Sequence, residues 1–401
     1  MIVEMEFVTS GSVTAPQGFQ AGAVHAGIKK NNVPDLGILF SETPCLAAGL
    51  FTTNRVKAAP VVLCRQRLQS GRIRAVVVNS GCANACTGER GMADAVEMAA
   101  MAAGVVGVPP DEVLVASTGV IGQLLPMERL RAGMSRIVLS RYGGHTLAKA
   151  IMTTDTTPKE AAIRVEAGGF TIGGVAKGSG MIHPDLATML CFLSTDASVD
   201  LDFLRVALRE AADVSFNMLS VDGDTSTNDT VLLLANGTAG NEIISEGSRH
   251  AAVFQQALNR LCIYLAKAIA GDGEGATRLL EVTVSGAPGL AEARRAARTI
   301  VSSALVKTAI HGGDPNWGRV IAALGRSGVD IVEEKIDFYL GEICLAKGGC
   351  AFTFNEEEAI KALNGKEVSL TVNLNLGSAA ATAWGCDLTE EYVVINSEYT
   401  T

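Results

Sequence analysis

A mixed α/β fold is the class this sequence predicts, and three observations lead to it. Helical and strand periodicities alternate along the whole length, with glycine-rich punctuation between them. Residues 74–78 (RAVVV) and 112–116 (EVLVA) read as buried strands on either side of a helical stretch near 92–103, a βαβ rhythm. The chain has 401 residues, 48% hydrophobic and 19% charged, which exceeds the ~250–300 residues at which a single core stops growing. Two domains or two intertwined lobes are therefore expected.

Further along, Asp200 is a plausible N-cap, and behind it Leu201, Leu204, Leu208 and Ala211 share one helical face. Phe254, Leu258, Leu261, Leu265 and Ile269 form a stronger stripe, on a helix that must end at Gly271. Val368, Leu370, Val372, Leu374 and Leu376 alternate with polar residues, the period-two mark of a strand with one wet face. No proline- or serine-rich linker divides the chain. The best candidate boundary lies near 175–187, where the loop KGSGMIHPD meets the apolar run LATMLCFL, read as a strand.

Composition excludes several functions. A net charge of −9 offers no basic footprint for a nucleic-acid backbone. The apolar stretch from Ala93 to Pro109 is interrupted by Glu97 and is shorter than the ~20 residues a membrane-spanning helix needs. Residues 1–16 carry Glu4 and Glu6 and no basic leader, so a soluble, cytoplasmic protein is expected. Of nine cysteines only Cys82 and Cys86 stand close together, without the second pair a zinc site requires, and reduced, mostly buried thiols are the expectation. The five histidines, His25, His145, His183, His250 and His311, are scattered, and phosphate- and dinucleotide-binding glycine signatures are missing. Neither a metal nor another cofactor is expected.

Five segments rich in glycine, threonine, asparagine and aspartate stand beside predicted strands: 79–88 (NSGCANACTG), 117–122 (STGVIG), 152–159 (MTTDTTPK), 222–230 (DGDTSTNDT) and 311–319 (HGGDPNWGR). Small polar loops at strand ends are where α/β proteins keep their sites. Turn chemistry alone accounts for each one taken singly.

Taken together with KGSGMIHPDLATMLCFLSTDA at 177–197, SFNMLSVDGDTSTNDT, AKAIAGDGEGATRLLEV, SSALVKTAIHGGDPNWGRV and the terminal YVVINSEYTT, they decide otherwise. In this order they resemble the ornithine acetyltransferase family, the glutamate N-acetyltransferases of arginine biosynthesis, over nearly the whole chain. The resemblance implies a two-lobed α/β sandwich of the self-processing N-terminal-nucleophile-like type. It implies that Thr188 attacks the carbonyl of Ala187 and, once water opens the resulting ester, becomes a new N-terminus. Residues 1–187 and 188–401 would then be two intertwined chains, paired further into a heterotetramer of two α and two β chains.

The implied chemistry is sound. A threonine hydroxyl is a weak nucleophile until a base is adjacent, and the α-amine freed on the same residue supplies one with a reference pKa of ~7.7–8.0. By resemblance, Thr118 and Gly119 form the oxyanion hole, a role in which glycine permits close backbone approach. Also by resemblance, Thr154, Lys177, Thr188, Glu274, Asn396 and Thr401 bind substrate. Lys177 suits a substrate carboxylate and Glu274 an ammonium. His183 is a rival base, and in HPD it is expected to fix the loop before the cut.

A ping-pong transfer follows: N-acetylornithine acetylates Thr188, ornithine leaves, and glutamate takes the acetyl group. Some family members accept acetyl-CoA as a donor, a point the sequence leaves open. Two rivals stand beside this reading. One is an N-terminal-nucleophile amidohydrolase or aminopeptidase, which would release acetate or an amino acid to water. The other is an uncut, non-catalytic amino-acid-binding protein.

Overall fold

The computed structural model describes residues 5–69, 72–183 and 189–398. Their strands build two sheets. The larger contains β1 (Met5–Phe7), β2 (Phe19–Val24), β3 (Leu36–Phe51), β4 (Ile73–Cys82), β5 (Val113–Val120), β6 (Lys159–Val165), β7 (Phe170–Lys177), β8 (Leu190–Thr195) and β9 (Thr230–Ala235). Its order is β1-β6-β7-β8-β9-β3-β4-β5, with β2 paired to β3. The smaller contains β10 (Leu279–Ala287), β11 (Asp337–Leu340), β12 (Ile343–Lys347), β13 (Cys350–Ala351), β14 (Glu367–Asn373) and β15 (Ala379–Cys386), in the order β13-β12-β11-β14-β10-β15. The class is mixed α/β, as the alternating periodicities predict.

Strand β3 organises the larger sheet. Its first half pairs with β2 and β4, its second half with β9, and the register shifts between Phe40 and Cys45. Pro44 lies in that interval, exposed with Glu42 and Thr43. A proline has no N–H to give a ladder and is tolerated at such an irregularity.

The βαβ rhythm is present: β4 and β5 are parallel neighbours, and the helix Gly88–Val106 joins them. The helix Leu201–Asp213 starts where Asp200 accepts from the amides of Asp202 and Phe203, which satisfies two of the donors a helix leaves orphaned. The helix Ala251–Gly271 packs against β6 and β7 of one sheet and β10 and β15 of the other. Phe254, Leu258, Leu261, Leu265 and Ile269 are fully buried there, each contributing roughly 1.5–3 kcal/mol. None of the helices among the described residues is long and apolar enough to cross a membrane.

Two expectations need correction. The strand read over 368–376 ends at Asn373, because Asn375 takes a positive φ of 51° and the amides of Leu374 and Leu376 turn to the carbonyls of Ser285 and Gly286. The alternation outlasts the strand because Leu374 is still buried. Of the apolar run at 186–193, Leu190–Leu193 lie in β8 as expected, and residues 184–188 lie outside the described residues. The stretch 175–187, read as the best boundary, divides no sheet from another, since β7 and β8 on its two sides are antiparallel neighbours. Six of the nine cysteines, Cys45, Cys64, Cys82, Cys191, Cys262 and Cys386, are buried, and burial pushes each of these thiols up.

Candidate functional site

The C-terminal ends of the parallel strands β4 and β5 lie side by side, with Ser80 opposite Thr118 and Gly81 opposite Gly119. The backbone at Gly119 has φ 126°, and a Cβ there would fall 2.6 Å from the Cys82 nitrogen, so only glycine fits. Buried amides hold these ends in place. Asn79 Nδ2 donates to Cys82 O at 2.9 Å, and Ser117 Oγ donates to Asn79 Oδ1 at 2.6 Å. Asn228 Nδ2 reaches Ala83 O at 2.6 Å and Ser117 O at 2.7 Å, which ties the 222–230 segment across both strands.

Strand β8 begins between β7 and β9, and Lys177 and Asn228 beside its start reach the ends of β4 and β5. Leu190 pairs with Lys177 on one side and Thr230 on the other. The amide of Met189 donates to Asp229 Oδ1 at 3.2 Å, while Asp229 Oδ2 is buried with no hydrogen-bond partner among the described residues. Burial pushes this carboxyl well above its usual range. The register thus sets an acid and a lysine on opposite sides of the chain as it enters β8.

Lys177 is almost completely buried. Its ammonium donates to Thr153 Oγ1 at 2.8 Å and Thr118 Oγ1 at 3.4 Å, and Asp155 Oδ2 lies 4.0 Å away. Burial pulls its pKa down, and the charge of Asp155 opposes that. Thr154 Oγ1 shares a hydrogen bond with Ser179 Oγ at 2.6 Å. Glu274 closes over this loop: its amide donates to Ser179 O at 2.8 Å, and a Cβ on Gly180 would strike its carboxylate. Asn396 Nδ2, from the helix Glu390–Glu398, donates to Glu274 Oε2 at 2.8 Å. The same helix brings the Tyr392 hydroxyl to Asp222 Oδ2 at 3.4 Å; burial together with the Asp222 and Glu274 charges pushes the phenol up. Asp222 also accepts from the amides of Met181 and Ile182, and burial raises its carboxyl. Met181 there carries a positive φ of 56°, a strained conformation for a non-glycine residue in the segment leading to 184–188.

One cleft therefore gathers Thr118, Gly119, Thr154, Lys177, Glu274 and Asn396. Ala187, Thr188 and Thr401 lie outside the described residues. Of the five polar segments, four contribute to the cleft walls; residues 311–319 do not. They lead into the helix Trp317–Gly325 near the smaller sheet, with His311 between Asp387 (3.3 Å) and Glu390 (3.2 Å). His183 is not in the cleft wall, and its Nδ1 lies 3.2 Å from Ser220 Oγ.

Sequence reasoning missed Asp155, Lys159, Asp222, Asp229, Asp272 and Tyr392. Only the i, i+4 spacing of Asp155 and Lys159 inside a quoted segment gave a signal, and that spacing is as common on a solvated surface. Among the described wall residues, Asp222, Asp224 and Glu274 outnumber the one cation, Lys177, so the open side of the cleft favours a cationic group.

Comparison with known proteins agrees over the same span. The model of the ArgJ family matches residues 20–401. The arginine biosynthesis bifunctional protein ArgJ of Dehalococcoides mccartyi is 54% identical, covering 99% of each chain. That of Symbiobacterium thermophilum is 56% identical, covering 98% of this chain and 99% of its own. A crystal structure of the arginine biosynthesis bifunctional protein argJ from Bacillus halodurans is 47% identical, with a TM-score of 0.50, and covers 51% of this chain and 97% of that one.

Proposed function

The chain belongs to the ArgJ family, and we propose that it is a glutamate N-acetyltransferase of arginine biosynthesis that moves an acetyl group from N-acetylornithine to glutamate through Thr188. The observation that carries this reading is the register at the start of β8. It sets the residues just after Thr188 between Lys177 and Asp229, and the Lys177 ammonium reaches Thr118 Oγ1 near the end of β5.

The proposed sequence begins with processing. The Thr188 hydroxyl adds to the Ala187 carbonyl, the acyl group passes from nitrogen to oxygen, and water cleaves the ester to leave a free α-amine. That amine takes the hydroxyl proton as Thr188 attacks the acetyl carbonyl of N-acetylornithine. The tetrahedral oxyanion is stabilised at the Thr118–Gly119 turn, ornithine departs with the proton, and glutamate accepts the acetyl group by the reverse steps. Glu274, with Asn396 on its carboxylate, suits the ammonium of ornithine; Thr154 and the terminal Thr401 complete the substrate contacts. Lys177, whose ammonium reaches Thr118 Oγ1 at 3.4 Å from the cleft wall, suits a substrate carboxylate and also bears on the acyl oxygen. The solved relative's chain is accounted for almost wholly by half of this one, as a product of a mid-chain cut would be.

The name bifunctional carried by both relatives favours acetyl-CoA as a second donor to glutamate. We place the enzyme in the cytoplasm as a heterotetramer of two α and two β chains. Purified protein given N-acetylornithine and glutamate should release ornithine and N-acetylglutamate in equal amounts, and acetyl-CoA as sole donor should also yield N-acetylglutamate. Net acetate release without an acceptor would instead mark a hydrolase, and substrate binding without turnover a binding protein. Native mass spectrometry of the purified enzyme checks the assembly.

A further inference from the structure

Behind the cleft lies a buried ionic cluster that the transfer scheme leaves unused. Lys159 Nζ donates to Asp155 Oδ1 at 2.6 Å and to Asp272 Oδ2 at 2.5 Å, with its side chain 1% exposed. Asp272 in turn accepts from the amides of Thr156 and Thr157, at 3.0 and 3.3 Å, and from the Thr156 hydroxyl. The 152–159 segment is thereby fastened to the end of the helix Ala251–Gly271.

Asp155 is the member that stands beside Lys177, a residue of the cleft wall. It is fully enclosed, and its carboxylate has a separate attachment for each part of the Lys177 surroundings. Oδ1 accepts the amide of Gly178, the residue after Lys177, at 2.7 Å. Oδ2 accepts the amide of Thr153 at 3.0 Å, and the hydroxyl of that threonine receives the Lys177 ammonium. Oδ2 also lies 4.0 Å from Lys177 Nζ itself. The contacts of Asp155 to Thr153 and Gly178 fasten it to both sides of Lys177 as well.

We propose that Asp155, clamped by Lys159 and Asp272, is a positioning residue for acetyl transfer, which holds the Lys177 ammonium against the Thr118 hydroxyl where the oxyanion develops. The proposal rests on the transferase reading above. Among the described residues, five titratable groups face Lys177. Asp155 and Lys159 come from the 152–159 segment, Glu274 from beyond the helix Ala251–Gly271, Asp229 from the start of β9, and Lys29 from the loop before β3. Burial disfavours the Lys177 charge, and Asp155 is the foremost group opposing that. Burial also disfavours the charge on Asp155, yet Lys177 and Lys159 outweigh it and hold the carboxyl at about 2, so Asp155 stays ionised over the working range. Burial lowers Lys29 to about 8, and its ammonium is tied to Met152 O at 2.9 Å.

The sign of the pH effect follows. Removing the Asp155 charge lowers the pKa of Lys177 further, so the ammonium is lost earlier as pH rises, and the alkaline limb of the rate profile moves to lower pH. The test uses processed enzyme with N-acetylornithine and glutamate, following kcat and KM from pH 6 to 10. In Asp155→Asn the alkaline limb of kcat should move down by about one pH unit. At pH 8 kcat should fall about tenfold to a hundredfold with KM changed less than about threefold. Thr153→Val, which removes an uncharged acceptor of the same ammonium and leaves no buried charge unpaired, should shift the limb in the same direction by less. It keeps the question answerable if Asp155→Asn does not fold, as judged by circular dichroism. Parent-like limbs in the variants that fold would overturn the proposal, as would a change confined to KM. Parent protein that transfers no acetyl group would instead sink the transferase reading, so the two failures are distinguishable.

Discussion

The loops at 117–122, 152–159 and 222–230 and the loop at 311–319 read alike in sequence, yet the fold puts them to different uses. In the first group the polar groups reach far along the chain. Asn228 bonds Ala83 and Ser117 across 145 and 111 residues, Lys177 bonds Thr118 across 59, and Thr156 bonds Asp272 across 116. In the 311–319 loop the partners are near. Asn316 caps its own helix by accepting the amide of Arg319 and donates to Asp314, Arg319 reaches back to Leu305 and Thr308, and His311 extends to Asp387 and Glu390. A loop satisfied by its neighbours is a turn that could sit anywhere. A loop with hydrogen bonds to distant strands is held on several elements at once, which is what oxyanion stabilisation demands of its donors.

The sharpest way to break this comparison is at the nucleophile. Purified protein should run as two bands of about 19 and 22 kDa, the larger beginning Thr-Met-Leu-Cys, because a free threonine amine is needed as base. Thr188→Ala should leave one uncut band with no transfer, while Thr188→Ser should still cut, more slowly. A Thr188→Ala variant that transfers acetyl groups at the parent rate refutes the mechanism.

Next in size is Gly119→Ala. The added methyl collides with the Gly81–Cys82 backbone and meets a φ that L-residues avoid, so the oxyanion turn must shift. We expect kcat to drop about 10²–10³-fold, the magnitude of losing one oxyanion donor, with secondary structure by circular dichroism retained. Parent-like kcat would show that this turn is only a turn.

Deleting residues 396–401 removes Asn396 from Glu274 and shortens a helix that buries none of its side chains completely. Transfer should therefore fall by about tenfold or more, with little loss of Tm, since one part-buried hydrogen bond contributes about 1 kcal/mol. A large drop in Tm with unchanged kcat/KM would reverse that assignment.

The smallest effect belongs to the other region. Asn316→Ala removes an N-cap and should cost about 1 kcal/mol in urea unfolding while kcat/KM stays at the parent value. A loss of activity without a loss of stability would join the 311–319 loop to the site and erase the distinction drawn here.

The sequence by itself determined the α/β class, the parallel β4–β5 pair with its connecting helix, the Asp200 cap and the buried stripe from Phe254 to Ile269. These rest on periodicities and caps settled within a few turns of chain, where local geometry dictates which side chains share a face. Its ordered motifs also named the residues that converge on the cleft, though the position of none could be read from spacing. Only the tertiary structure decided that Lys177 points back toward Thr118 and Thr153, that Asp229 stands beside Met189, and that Lys159 joins Asp155 to Asp272. Sheet order and register bring those partners together, and register is a collective property of strands far apart in the chain. A buried charge such as Lys159 looks like any surface lysine in sequence; what holds it inside is a carboxylate 113 residues away.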